Sequence, residues 1–116
     1  MRFKLILALV QENRVEAVLK EARRAGATGV TVLPSARGEG LVPKKTFLGL
    51  NLTVQRDIVL FIVEESLCKR ILDGVGREGR FESEPGSGLA IQVDIEDAIG
   101  LTSQMKEIAT RIESEP

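Results

Sequence analysis

The stretch Leu60-Phe61-Ile62-Val63-Glu64-Glu65-Ser66-Leu67-Cys68-Lys69-Arg70-Ile71-Leu72-Asp73-Gly74-Val75-Gly76-Arg77-Glu78-Gly79 decides the fold, because it nearly repeats a segment 53 residues earlier. Leu7-Ala8-Leu9-Val10 lies over Leu60-Phe61-Ile62-Val63, Gln11-Glu12 over Glu64-Glu65, Asn13 over Ser66 and Gly26 over Gly79. The apolar positions in between coincide too: Val15, Val18, Leu19 and Ala22 fall on Cys68, Ile71, Leu72 and Val75. Each copy reads as an apolar strand, a capping Asn or Ser, an i, i+3, i+4, i+7 helical stripe and a helix-ending glycine.

Working outward, each strand–helix unit is followed by another strand candidate, Gly29–Pro34 after the first and Leu89–Val93 after the second. The element order is βαββαβ, an α+β sandwich of the split βαβ or ferredoxin-like kind. The first and third strands, Phe3–Val10 and Asp57–Val63, are apolar on both faces. In the 4-1-3-2 strand order of that fold they are the central pair. Both helices cover the same face of the sheet, so the other face is an apolar surface that calls for a partner; we expect a homo-oligomer.

The bulk composition narrows the function classes. A chain of 116 residues is one domain. A net charge of −1 and only four aromatic residues, all Phe, argue against binding nucleic acid, which needs clustered cations and stacking rings. The chain has no His, Tyr or Trp, so the commonest general base and metal ligand is missing. Its single cysteine, Cys68, lies on the inward stripe of the second helix and reads as a core thiol. Met1-Arg2-Phe3-Lys4 and the short apolar run after it read as strand one rather than as a signal peptide. No stretch reaches the ~20 apolar residues of a membrane span, and a cytoplasmic protein is expected.

One connection is too long to be a simple turn. The segment from Ser35 to Val54 contains Arg37-Gly38-Glu39-Gly40, then Pro43-Lys44-Lys45, then Phe47, Leu48, Leu50 and Leu52, which could extend a hairpin or meet a partner. A second glycine cluster, Gly86-Ser87-Gly88, opens the fourth strand. Both clusters are candidates for cradling an anion: glycines let backbone amides approach, and a guanidinium adds charge. Neither fits a P-loop or a dinucleotide fingerprint, and each also reads as an ordinary turn. Asp94, Glu96 and Asp97 read as a solvated turn, and Glu64-Glu65 as acids favoured at a helix start. After Gly100, residues 101–116 read as a final helix with Leu101, Met105, Ile108 and Ile112 on one side.

These features together resemble the P-II signal-transduction (nitrogen regulatory protein P-II) family, in particular its divergent PII-like branch. The resemblance runs from residue 1 to about 100. It rests on the duplicated unit, Ala27-Thr28-Gly29-Val30-Thr31-Val32 at strand two, the R-G-x-G entry into the long loop and the G-x-G before strand four. It implies a homotrimer packed through its sheets, with adenine nucleotide (ATP, ADP or AMP) bound between subunits and no metal required. By position, Arg37, Gly38 and Gly40 would line the loop base, Gly86, Ser87 and Gly88 the opposing turn, and Thr31 the nucleotide base. The loop, residues 37–54, would dock onto a partner protein, with a membrane transporter as the leading class. The chain departs from conventional members at Gly86-Ser87-Gly88-Leu89, where they carry Gly-Asp-Gly-Lys, and at Ile99-Gly100-Leu101-Thr102, where they carry arginines. Each lost charge-assisted contact is worth roughly 1.5–3 kcal/mol, so weaker nucleotide binding is expected.

The expected function is a trimeric, non-enzymatic regulator that binds an effector and controls a partner through its loop. The domain spans residues 1–100, with 101–116 as an added tail. Two rivals differ in class. A constitutive interaction module with a disabled nucleotide site would bind partners regardless of small molecules. A small enzyme would use an acid such as Glu39.

Overall fold

A computed structural model describes residues 2–36, 46–47, 50–51 and 55–101 of the chain. The fold is the expected α+β sandwich. Strand β1 (Phe3–Gln11) leads through a 3-10 turn (Glu12–Arg14) into α1 (Val15–Arg24) and then β2 (Thr31–Ala36). The two-residue strands β3 (Thr46–Phe47) and β4 (Leu50–Asn51) pair antiparallel as a small separate ribbon. Then come β5 (Arg56–Glu64), α2 (Glu65–Glu78) and β6 (Leu89–Asp94). The readings placed on Arg37, Gly38, Glu39, Gly40 and the helix of residues 102–116 lie outside the described residues.

The main sheet has the order β2-β5-β1-β6, all antiparallel, with β1 and β5 in the centre as their apolar sequences require. Ile6, Ala8 and Val10 of β1 and Val59, Phe61 and Val63 of β5 face the helices. They pack against Val15, Val18 and Ala22 of α1 and Cys68, Ile71 and Val75 of α2. The alternate residues Leu5, Leu7, Leu9, Ile58 and Leu60 are only half-buried, and Leu33, Ile62, Ile91 and Val93 are exposed. Cross-strand pairing places all of these on the second face, which neither α1 nor α2 covers.

The structure corrects four local readings. Asn13 is not a helix cap: it sits inside the 3-10 turn, and α1 starts without a side-chain cap because Arg14, at the cap position, reaches away to α2. Ser66 is not the cap of α2 either. The Glu64 carboxylate accepts the Ser66 N–H at 3.0 Å and also takes the Ser66 hydroxyl, placing a negative group at the positive helix end. The glycine stop holds for α1, where Gly26 has φ +116° and the chain closes with paired Gly26 N–H to Arg23 C=O and Ala27 N–H to Ala22 C=O bonds. In α2 the same two bonds come from Arg80 and Phe81, one residue further along than a 53-residue repeat predicts, so Arg80 rather than Gly79 takes the left-handed position at φ +61°. Finally, β2 begins and ends two residues later than Gly29–Pro34. It continues past Pro34 by a bulge in which Ser35 has φ +57°, tolerable because β2 is an edge strand.

Candidate functional site

The loop leaves the sheet at Ala36 and returns at β5, whose first residue, Arg56, pairs with Ala36 on one side and Gln11 on the other. This neck lies at the same end of the sheet as the glycine turn, because Gly88 leads directly into Leu89, which pairs with Leu9. Ala36 on β2 and Leu89 on β6 stand on opposite edges of the sheet, so it is the returning end of the long loop, at Arg56, that meets the residues Gly86–Gly88.

The turn from Arg80 to Gly88 is held by its own bonds. The Arg80 carbonyl accepts the Glu84 N–H at 2.9 Å and the Ser87 hydroxyl at 2.8 Å, while the Ser87 N–H donates to the Glu84 carbonyl at 3.1 Å. Ser87 is buried, and Gly86 takes φ +81°. Gly88 has a packing reason to be glycine: a Cβ there would lie 2.1 Å from the Leu9 carbonyl oxygen and 2.7 Å from the Phe81 ring. The same ring lies against Gly79. Beside the turn, a groove of about 620 Å³ runs between the end of α2 and β6, floored by Leu72, Phe81 and Leu89 and edged by Arg77 and Arg80.

The residue that joins the turn to the neck is Arg56, which the sequence reading passed over. Its side chain is buried, its Nε donates to the Ser87 carbonyl at 3.1 Å, and a terminal nitrogen donates to the Gly86 carbonyl. Burial pushes the guanidinium below its usual pKa, but an arginine remains charged at neutral pH. The available signal was a cation placed at the first position of a central strand whose middle, Ile58–Val63, is apolar, where the loop must rejoin the sheet.

Thr31 is exposed at the start of β2, opposite Leu60. Following the pairing through Leu60, Leu7 and Ile91, it lies three strand spacings from β6, about 14 Å across the sheet. Within one chain, therefore, Thr31 and the Gly86–Gly88 turn are not brought together. Arg37, Gly38 and Gly40 follow directly on Ala36 in sequence.

Elsewhere the chemistry is sparse. Cys68 is buried, with its thiol 3.0 Å from the Gln92 side-chain oxygen; burial pushes its pKa up, against a smaller opposing pull from Lys4. It is a packed thiol and not a nucleophile. At the other end of the sheet a cavity of about 270 Å³ is lined by both signs of charge, including Arg2, Lys4, Glu65 and Asp94, with Lys4 and Asp94 paired at 3.2 Å. Among the described residues, no group of three or more His, Cys, Asp or Glu is placed to hold a metal ion. No described helix is long and apolar enough to cross a membrane.

No curated protein sequence matches the chain. Among solved structures, CPII from Thiomonas intermedia K12 bound to ADP, AMP and acetate superposes with a TM-score of 0.65 at 22% identity, covering 85% of this chain and 91% of that one. The PII protein of Arabidopsis thaliana bound to citrate also gives 0.65 at 22% identity, covering 88% and 85%. At these identities the likeness speaks for the fold. The family model described as nitrogen regulatory protein P-II matches residues 3–105, nearly the whole described chain. With its repeat, its strand order and its loop neck set against a glycine turn, this chain belongs to the nitrogen regulatory protein P-II family, whose members are regulatory signal proteins.

Proposed function

We propose that this protein is a trimeric, non-enzymatic regulator that binds an adenine nucleotide between subunits and uses the loop of residues 37–54 to control a partner protein in the cytoplasm. The observation that carries the reading is the junction of the loop neck and the glycine turn at one end of the sheet. An effector seated on the turn is then next to the segment that would meet the partner. The apolar face of the sheet opposite the helices supports assembly, since Leu5, Leu7, Leu9, Leu60, Ile62 and Ile91 gain by leaving water against other copies. The distance between Thr31 and Gly86–Gly88 fits a site shared by two subunits, with Thr31 from one and the turn and loop base (Arg37, Gly38, Gly40) from another. The ADP and AMP in the CPII structure support an adenine nucleotide as ligand. A membrane transporter is the partner class that the family resemblance favours. The mechanism is selection among loop conformations, which requires the effector to bind one of them better than the rest.

A second reading has its own support. Gly88 is accounted for by packing on Leu9 and Phe81, the Ser87 N–H is committed to Glu84, and Leu89 stands where conventional members have lysine. These features favour a constitutive docking module whose nucleotide site is disabled. Calorimetric titration of the full chain with ATP, ADP, AMP and cyclic AMP, with and without Mg²⁺, decides between the two. Saturable binding near one site per subunit supports the regulator; no heat at millimolar nucleotide supports the docking module. Light scattering tests the trimer independently.

A further inference from the structure

We propose that Arg56 is a positioning residue that ties the glycine turn to the loop neck, so that a ligand on the turn is felt at the neck. The proposal deepens the effector-binding reading above and rests on it for its ligand.

The first two residues of β5 anchor two different segments. Arg56 donates to the carbonyls of Ser87 and Gly86 in the turn. Asp57, next to it, accepts the Ser35 N–H at 3.1 Å, holding the bulge one residue before the loop departs. Turn and neck are therefore fastened to adjacent points on one central strand, and a displacement of either loads the same backbone. Arginine suits the task better than lysine, because its planar fork presents two donors in fixed geometry to two neighbouring carbonyls.

Peptide planarity extends the effect from the carbonyls to the amides. In a trans peptide the C=O and the following N–H point in opposite directions. By holding the Gly86 carbonyl, Arg56 orients the Ser87 N–H toward its bond with Glu84. By holding the Ser87 carbonyl, it directs the Gly88 N–H away from its own positive charge. The orientation of the turn's amides is thus set by a residue that stands on the far side of the turn, with the Ser87 N–H already held by the Glu84 carbonyl. A guanidinium at 5% exposure is costly to place there, and its hydrogen bonds to the turn compensate for that cost.

The test is amide hydrogen exchange followed by NMR on the full chain, first without ligand and then with ADP. In Arg56→Gln, exchange at Glu84 and Ser87 should rise about ten-fold and exchange at Ser35 should rise with it, while core amides such as Phe61 stay protected. Arg56→Lys should recover part of the protection. Coupling is reciprocal, so Asp57→Ala, which loosens only the neck, should also raise exchange at Ser87. With ADP, Ser35 should gain protection in the wild type and not in Arg56→Gln. A rise confined to the turn, with Ser35 unmoved in Arg56→Gln and Ser87 unmoved in Asp57→Ala, would mean that Arg56 only props the turn and would overturn the proposal. If Arg56→Gln unfolds, Asp57→Ala and Arg56→Lys still decide it. If the wild type does not bind ADP, the effector reading fails, whereas the ligand-free exchange still judges the coupling.

Discussion

The two strand–helix units of this protein are copies in sequence that differ where they touch. Glu21 of α1 and Gly74 of α2 occupy equivalent positions 53 residues apart, and the helices pack so that these two meet. The Glu21 side chain lies across Gly74, and a Cβ on Gly74 would come within 2.8 Å of its Cγ. Arg14 and Leu67 are a second equivalent pair. Arg14 reaches the last turn of α2 and donates to the Glu78 carbonyl at 2.9 Å, whereas Leu67 packs on Gly26 just past the end of α1. Where two copies of one element cross at their common axis, the same bulky residue cannot stand on both sides. One copy carries the side chain and the other leaves the space. The contrast also separates the two exits: α1 passes through Gly26 to an edge strand, but α2 runs through Arg80 into the packed turn that meets the loop neck.

That second exit gives the largest expected effect. Gly88→Ala places a methyl group against the Leu9 carbonyl oxygen and the Phe81 ring, and neither backbone nor ring can yield without shifting β1 or the turn. We expect a loss of about 3 kcal/mol in urea unfolding, at the upper end of the range for overpacking. A loss below that of an ordinary surface substitution would show that the turn is not packed as described, and would remove the asymmetry between the exits.

At the crossing of the helices the prediction is one of sign. An alanine inside a helix normally gains about 1 kcal/mol over glycine. Gly74→Ala should instead destabilise the protein by about 1–2 kcal/mol, because Glu21 must leave its place. In a Glu21→Ala background the same change should become stabilising. Additive effects in the double variant would mean that the two equivalent positions do not compete for one space. A smaller effect is expected at the other equivalent pair. Arg14→Leu copies the residue of the second unit into the first and removes the bond to the Glu78 carbonyl, at a cost of about 1 kcal/mol.

Much of the architecture was legible because it rests on period and repetition. The doubly apolar Phe3–Val10 and Asp57–Val63 placed β1 and β5 at the centre of the sheet, and the stripes at Val15, Val18, Ala22 and Cys68, Ile71, Val75 became the core. The cap residues were not legible, since a carboxylate at Glu64 and a 3-10 turn at Asn13 satisfy the helix starts as well as the expected side chains would. A single added residue before the end of α2 moved the left-handed position from Gly79 to Arg80, and short repeats do not register such a slip. At the candidate site, the glycines of the turn were visible and Arg56 was not. Its role depends on which strand end lies beside which turn, a fact of tertiary register rather than of local pattern.

The finest distinction between the units is electrostatic. The Glu21 carboxylate accepts two bonds from Arg24, at 2.8 and 2.6 Å, and one from Arg77 across the helix pair at 2.7 Å. The Arg24 hydrogen bonds, and behind them the charges of Arg24 and Arg77, hold its pKa below the ordinary value of 4.5 despite an opposing effect of partial burial. Its equivalent, Gly74, cannot titrate, so the pH response belongs to one unit alone. The folded protein releases this proton more readily than the unfolded chain does. The contribution is therefore complete above the ordinary value and is lost as the pH falls from there through the lower folded-state pKa. Urea midpoints of the wild type and Glu21→Gln, measured from neutral pH to below about pH 4, isolate it because every other carboxylate titrates in both proteins. The gap between the two midpoints should be widest at neutral pH and close in the acid range. No gap at any pH would mean that Glu21 stabilises the crossing by filling the space over Gly74, which Gln fills equally, with its charge contributing nothing.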